Sequence, residues 1–142
     1  KYLRTQQTAA PLLEKYKLDF EVDEHLHEFS YLSERKCVNT NLNDRKAWVD
    51  AYWEKMDCQH KDADDAESFE DLYLRVQAFH EKLKALAENY AEKNLAVFSH
   101  GQFLQLLMMQ IQQPRLLSKE LMQQFRSDLV QKPIRNTEVF TY

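Results

Sequence analysis

The chain has 142 residues, of which 44% are hydrophobic and 30% charged, and its formal net charge is −4. This length suits one domain, and the apolar content is too high for a disordered chain. No apolar run approaches the roughly 20 residues that span a bilayer, which argues against a membrane protein. The slightly acidic balance argues against general nucleic-acid binding.

The two cysteines, Cys37 and Cys58, cannot form a disulfide framework and lack Cys-x-x-Cys spacing. They favour a reducing compartment, and we expect a cytoplasmic location. The chain begins Lys-Tyr-Leu-Arg, without a methionine or the parts of a signal peptide. We therefore expect the sequence to start further upstream.

The first half of the chain predicts two helices and one strand. Residues 5–16 have helical apolar spacing, with Pro11 inside, and residues 18–22 alternate as a strand does. Residues 23–43 are polar and predict a long loop. Asp44 is the predicted cap of a helix whose aromatic side chains we expect in the core. Those side chains are Trp48, Tyr52 and Trp53.

The clearest helix follows an acidic linker over residues 57–67. Apolar residues spaced by three and four form one continuous stripe, and Ser68 is the predicted cap, with Asp71 at its third position. Asn94 ends the predicted helix. The stripe consists of Phe69, Leu72, Val76, Phe79, Leu83, Leu86 and Tyr90.

The last third of the chain predicts a strand, two helices and a final strand. Residues 95–99 form an apolar run typical of a doubly buried strand, after which a helix runs to Pro114. A helix over residues 117–130, capped by Ser118, precedes a strand over residues 138–142. Strands separated by helices predict an α/β layered domain, and we expect another strand before Lys1.

The segment Ser99-His100-Gly101, between the predicted strand and helix, predicts an anion site. Ligands bind at the carboxyl ends of strands in open α/β sheets, and a helix N-terminus attracts an anion. Gly101 admits a close approach. The imidazole of His100 donates to a phosphate when protonated, or acts as nucleophile or base when neutral. The alternative is a structural histidine beside a routine glycine turn.

Two further residues fit phosphate chemistry. Arg4, at the start of the first helix, can form bidentate bonds to phosphate oxygens; alternatively it is solvent-exposed. Glu28, just past the first predicted strand, can protonate the leaving oxygen if it is partly buried with a raised pKa; alternatively it is a surface carboxylate. His25 and His27 invite a metal hypothesis, but no Cys or His pair elsewhere completes a site.

Five segments in one order resemble the histidine phosphatase superfamily, which has the phosphoglycerate-mutase-like fold. They are residues 2–9 (YLRTQQTA), 23–28 (DEHLHE), 67–75 (ESFEDLYLR), 97–101 (VFSHG) and 135–139 (RNTEV). Three features depart from the family pattern. The Arg-His-Gly segment with the phosphorylated histidine is absent, Ala66 replaces a glycine, and residues 29–33 lack the usual glycines.

The resemblance implies a three-layer α/β/α fold whose N-terminal strand is not in this chain. It implies a single domain over residues 1–142, with residues 34–65 as a helical or loop insertion near the active site. The implied reaction is hydrolysis of a phosphate monoester through a phosphohistidine, with the nucleophilic histidine upstream and Glu28 and His100 catalytic. Arg4, His100, Gly101 and Gln102 would bind the phosphoryl group, and we expect neither a metal nor a cofactor.

Two alternatives remain open at this point. One is a mutase that moves phosphate between hydroxyls of a glycerate, and the other is a catalytically inactive phosphatase-like module that only binds. The expected partner is a small phosphorylated substrate, and we expect binding to neither nucleic acid nor a membrane. The sequence is compatible with a homodimer.

Overall fold

The computed structural model describes residues 3–90 and 92–141, which fold into six α-helices and one short 3₁₀ helix. The 3₁₀ helix spans Glu24–Leu26. The α-helices are α1 (Leu3–Tyr16), α2 (Glu34–Cys37), α3 (Leu42–Lys55), α4 (Phe69–Asn89), α5 (Gly101–Gln112) and α6 (Lys119–Gln131). None of these described helices combines the length and the apolar character that crossing a membrane requires.

Side chains at the helix starts explain where three of the helices begin. Ser68 and Asp71 form a reciprocal capping box at α4, and Ser118 accepts the amide N–H of Leu121 in α6, as predicted. The cap of α3 is Asn41, whereas Asp44 is its partner in a second capping box. The predicted cap at Asp44 is therefore wrong by three positions.

The end of α1 has a local cause. After α1, Lys17 adopts a left-handed conformation with φ of 52°, and the amide of Leu18 donates to the carbonyl of Leu13 at 3.0 Å. This closing bond ends the helix without a glycine. Helix α4 ends at Asn89 rather than at Asn94.

The core lies where α4, α5 and α6 meet. Phe69 and Val76 of α4, Phe103 of α5 and Phe125 of α6 are completely buried, and α5 packs against both neighbouring helices. Trp53 of α3 is also buried, so the aromatic residues of α3 contribute to the core as expected. The apolar stripe of α4 is buried at its N-terminal end, whereas Tyr90 is 47% exposed.

The α/β prediction is wrong, because no strand forms within residues 3–90 and 92–141. Residues 18–22, 95–99 and 138–141 are neither helical nor paired in a sheet, and Tyr142 lies outside the described residues. A strand is stable only beside a second strand that accepts and donates its ladder hydrogen bonds. Here the apolar side chains of these segments are largely exposed; Val22, for example, is 57% exposed.

Residues 34–65 contain α2, α3 and part of the acidic linker. The helical character expected for this segment is present. Its assignment as an insertion, and the single domain over residues 1–142, stay predictions.

Candidate functional site

Arg4 and His100 are in direct contact. Arg4 lies in the first turn of α1, and His100 is the residue immediately before α5. Nη2 of Arg4 lies 2.9 Å from Nδ1 of His100. A guanidinium has only donors, so Nδ1 accepts and the ring proton of neutral His100 is on Nε2. The structure thus leaves His100 with an N–H on the side away from Arg4.

His100 is kept neutral by its surroundings. Its side chain is buried, with only 6% of the residue exposed. Burial, followed by the positive charges of Arg4 and His27, lowers the pKa of His100 to about 4. The imidazole is therefore a neutral hydrogen-bonding group near pH 7.

Glu28 lies at the start of α5, although it is distant in sequence. Its Oε1 accepts the amide N–H of Phe29 at 3.0 Å and that of Gln102, the second residue of α5, at 3.2 Å. The residue before α5 supplies no side-chain cap, so the carboxylate occupies a position that an anion prefers.

Burial raises the pKa of Glu28 above its ordinary value. The amide N–H groups that bind the carboxylate and the charge of Arg4 lower the pKa, but by less. A carboxyl group with a raised pKa is suited to give up a proton during catalysis. Its burial and its raised pKa would both suit Glu28 to the role of a general acid.

The structure places all the predicted site residues at one end of α5. Gly101 and Gln102 are its first two residues, and Arg4, Glu28 and His100 surround them. A Cβ atom added to Gly101 would have the Ile134 carbonyl as its nearest neighbour, at 4.0 Å. The packing of the chain therefore does not require a glycine here, and the amides of α5 are not shielded by a side chain at this position.

A family model, the histidine phosphatase superfamily (branch 1), matches residues 1–129. The chain belongs to the histidine phosphatase superfamily. No curated protein and no solved structure gives a significant match to it. Most members of this superfamily are phosphatases or mutases, so a function of that general kind is supported for the chain.

Glu67 and Ser99 contribute contacts to the candidate site that the sequence did not assign. Ser99 Oγ donates to the carbonyl of Leu26 at 2.8 Å, and Glu67 pairs with Arg75. Arg75 forms this ion pair and also donates to the carbonyl of His27 at 2.8 Å. The signal was present in residues 67–75, the segment resembling the superfamily, which begins with Glu67 and ends with Arg75.

The two histidines considered as metal ligands have other partners. Nδ1 of His25 lies 2.8 Å from Oδ1 of Asp23, and Nδ1 of His27 donates to the carbonyl of Glu28 at 2.9 Å. In the described part of the chain, no three His, Cys, Asp or Glu side chains are grouped so that they could hold a metal ion.

Two cavities, each of about 300 Å³, lie elsewhere on the molecule. Both are lined by residues of α5 and α6, and neither is lined by Arg4, Glu28 or His100. The candidate site is therefore defined by direct contacts between its side chains.

Proposed function

We propose that the chain forms the phosphate-binding and acid half of an active site that hydrolyses a phosphate monoester through a phosphohistidine. The observation that carries the proposal is the meeting of Arg4, Glu28 and His100 at the start of α5. Each of these groups has a separate chemical task.

The phosphoryl group would bind to Arg4, His100 and the first amides of α5. A guanidinium forms strong charge-assisted hydrogen bonds to phosphate oxygens, and neutral His100 offers the N–H of Nε2. Gly101 and Gln102 contribute the N-terminus of α5, where the helix dipole favours negative charge. A phosphate entering here would replace the carboxylate of Glu28 as acceptor of the Gln102 amide.

Glu28 would act as the general acid and then as the general base. Its raised pKa makes the protonated form more available, and Oε1 already lies beside the amides that would hold the phosphate. In the first step it donates its proton to the leaving alcohol. In the second step the carboxylate accepts a proton from the attacking water.

The nucleophile in this proposal is a histidine of an Arg-His-Gly segment upstream of Lys1, as the superfamily resemblance implies. It attacks phosphorus in line, a P–N bond forms, and the P–O bond to the alcohol breaks. Water then breaks the P–N bond, which releases inorganic phosphate and restores the histidine. Preorganised positive groups around the phosphoryl oxygens supply most of the rate enhancement.

The charges of residues 34–65 favour a phosphatase over a mutase. A mutase acting on a glycerate needs additional cations for the carboxylate of its substrate. In this segment Arg35 pairs with Asp64, and Lys36 pairs with Asp62 at 3.1 Å. Lys46 pairs with Asp50 at 2.5 Å. These three cations are already balanced by carboxylates of the chain.

A phosphatase assay with a panel of phosphate esters tests the proposal, using the protein that carries the upstream segment. We expect Glu28→Ala and His100→Ala each to reduce kcat/KM by at least about 100-fold, the size typical of lost acid–base or charge-stabilising groups. Glu54→Ala and His60→Ala, which change the same residue types in and just after α3, serve as controls. Wild-type rates in both site variants would contradict the proposal.

A further inference from the structure

We propose that the ion pair of Arg75 and Glu67 is a positioning device that holds the segment carrying Glu28 against α5. The inference rests on the proposed function, in which Glu28 is the acid. Neither Arg75 nor Glu67 has to touch the substrate, because both act through the backbone on either side of Glu28.

Arg75 holds the backbone before Glu28. It lies on α4, and its Nη1 donates to the carbonyl of His27 at 2.8 Å and also to the carbonyl of His25. On its other side, Nε and Nη2 donate to the two carboxylate oxygens of Glu67 at 3.0 and 3.1 Å. One planar group thus joins α4, the 3₁₀ segment and the acidic linker.

Glu67 holds the backbone after Glu28. Its Oε2 accepts the amide N–H of Ser30 at 2.9 Å, and its own amide donates to the carbonyl of Ser30 at 2.8 Å. Glu28 lies between the two attachment points, at His27 and at Ser30. Its backbone is therefore fixed from both sides, and its carboxylate is directed to the amide of Gln102.

The ion pair of Arg75 and Glu67 is largely buried, so water cannot easily replace its hydrogen bonds if the geometry is lost. The side chain of Arg75 is 10% exposed and that of Glu67 is 18% exposed, and the guanidinium lies 5.1 Å from the ring centre of buried Phe103 on α5. Breaking such a pair leaves an uncompensated charge away from water. A lysine retains the positive charge but cannot bind two carbonyls and a carboxylate in one plane.

The chain contains a matched control for this arginine. Arg45 at α3 also binds backbone, since its Nη2 donates to the carbonyls of Cys37 and Thr40 at 3.0 and 2.8 Å. It holds a different segment and has no contact with the residues around Glu28. Arg45→Lys therefore removes the same type of interaction without affecting the proposed device.

The first measurement is a carbon-13 NMR titration of the Glu28 carboxyl group in wild type, Arg75→Lys and Arg45→Lys. Apart from the ion pair of Arg75 and Glu67 itself, the charged and titratable groups near Glu28 are Arg4, His27, Tyr31 and, through Arg4, His100; both substitutions retain these. We expect Arg75→Lys to release Glu28 into water and to move its pKa down toward 4.5, because burial is the dominant cause of the raised value. Arg45→Lys should leave the titration unchanged.

Glu67→Gln is the second variant, and it keeps the proposal testable if Arg75→Lys does not fold. The neutral amide retains one acceptor but weakens the hold on Arg75, so we expect a shift of the same sign. An unchanged Glu28 titration in a folded Arg75→Lys or Glu67→Gln variant would overturn the proposal.

The second measurement is kinetic and uses the protein with its upstream segment. Arg75→Lys should lower kcat by up to about 100-fold, the cost of a displaced catalytic group, with little change in KM, whereas Arg45→Lys should not. A wild-type kcat in Arg75→Lys would also overturn the proposal. If the Glu28 titration moves but no form of the protein hydrolyses any ester, the positioning role stands and the proposed function fails.

Discussion

Arg4 donates a hydrogen bond to Nδ1 of His100 across 96 residues of sequence, at a distance of 2.9 Å. This contact joins the start of α1 to the start of α5 and fixes which nitrogen of the imidazole carries the proton. It also brings a permanent positive charge beside a ring that is already buried. In the proposed site, the resulting neutral histidine and the adjacent guanidinium would act as two donors to one anion.

Removing the charge of Arg4 should weaken phosphate binding. A charge-assisted hydrogen bond contributes about 1.5–3 kcal/mol, so we expect Arg4→Gln to bind inorganic phosphate roughly 10-fold to 100-fold more weakly in calorimetric titrations. Arg35→Gln is the control, because Arg35 is exposed and paired with Asp64. Equal affinities in the two variants would show that Arg4 does not bind phosphate.

His100 should make the protein less stable in acid. Its pKa is lowered from 6.5 to about 4 in the folded state, so the unfolded chain binds the proton more readily between these values. The contribution of His100 to the free energy of unfolding is therefore fully present above pH 6.5. It is lost as the pH falls toward 4, and the loss is no more than about 3 kcal/mol.

Urea unfolding at pH 7 and pH 4.5 measures this effect in wild type and His100→Asn. The asparagine Oδ1 can still accept the hydrogen bond of Arg4 but does not titrate. Glu28, whose raised pKa acts in the opposite direction, is common to both proteins and cancels in the comparison. The same loss of stability in both proteins would assign the acid sensitivity to other groups.

Glu28→Gln should increase stability while it abolishes acid catalysis. The buried carboxylate is unfavourable near pH 7, as its raised pKa indicates, and the isosteric amide retains an oxygen for the N–H groups of Phe29 and Gln102. We expect a gain on the order of 1 kcal/mol in the free energy of unfolding at pH 7. The gain should shrink in acid, where the wild-type carboxyl group is protonated. A loss of stability at pH 7 would contradict this account.

Ser68→Ala should destabilise α4 by about 1 kcal/mol, the usual loss for an N-cap. Ser68 is 2% exposed, and its hydroxyl accepts the amide N–H of Asp71 at 3.1 Å. Ser127→Ala is the control, since the hydroxyl of Ser127 bonds only an exposed glutamine side chain among the described contacts. Thermal unfolding measures both, and similar losses would mean that the cap is not decisive.

The helices of the second half could be predicted because their signals are local. The apolar stripe of α4, the cap at Ser68 and the stop before Pro114 all act within a few residues. The strands predicted at residues 18–22 and 95–99 do not form. An alternating or apolar run indicates only that a segment could be a strand. It does not show that a partner strand exists, and none forms within residues 3–90 and 92–141.

The candidate site could be predicted only through the order of its motifs. The contacts between Arg4 and His100, and between Glu28 and Gln102, span 96 and 74 residues, and no periodicity encodes such distances. Only the superfamily pattern indicated that these distant residues belong to one site. The superfamily pattern could not predict that Arg75 holds the Glu28 segment. Arg75 binds backbone carbonyls, and every residue has a carbonyl, so the sequence does not mark which ones it binds.

The groups of the site are held by different kinds of local structure. Arg4 and His100 are fixed at helix ends, whereas Glu28 lies in a non-helical stretch whose place depends on the hydrogen bonds of Arg75 and Glu67. A transient local opening of residues 27–30 would withdraw the acid while Arg4 and His100 stay in place. In the proposed mechanism, binding and turnover would therefore be controlled by separate parts of the chain, and a bound ester would remain uncleaved until residues 27–30 close again.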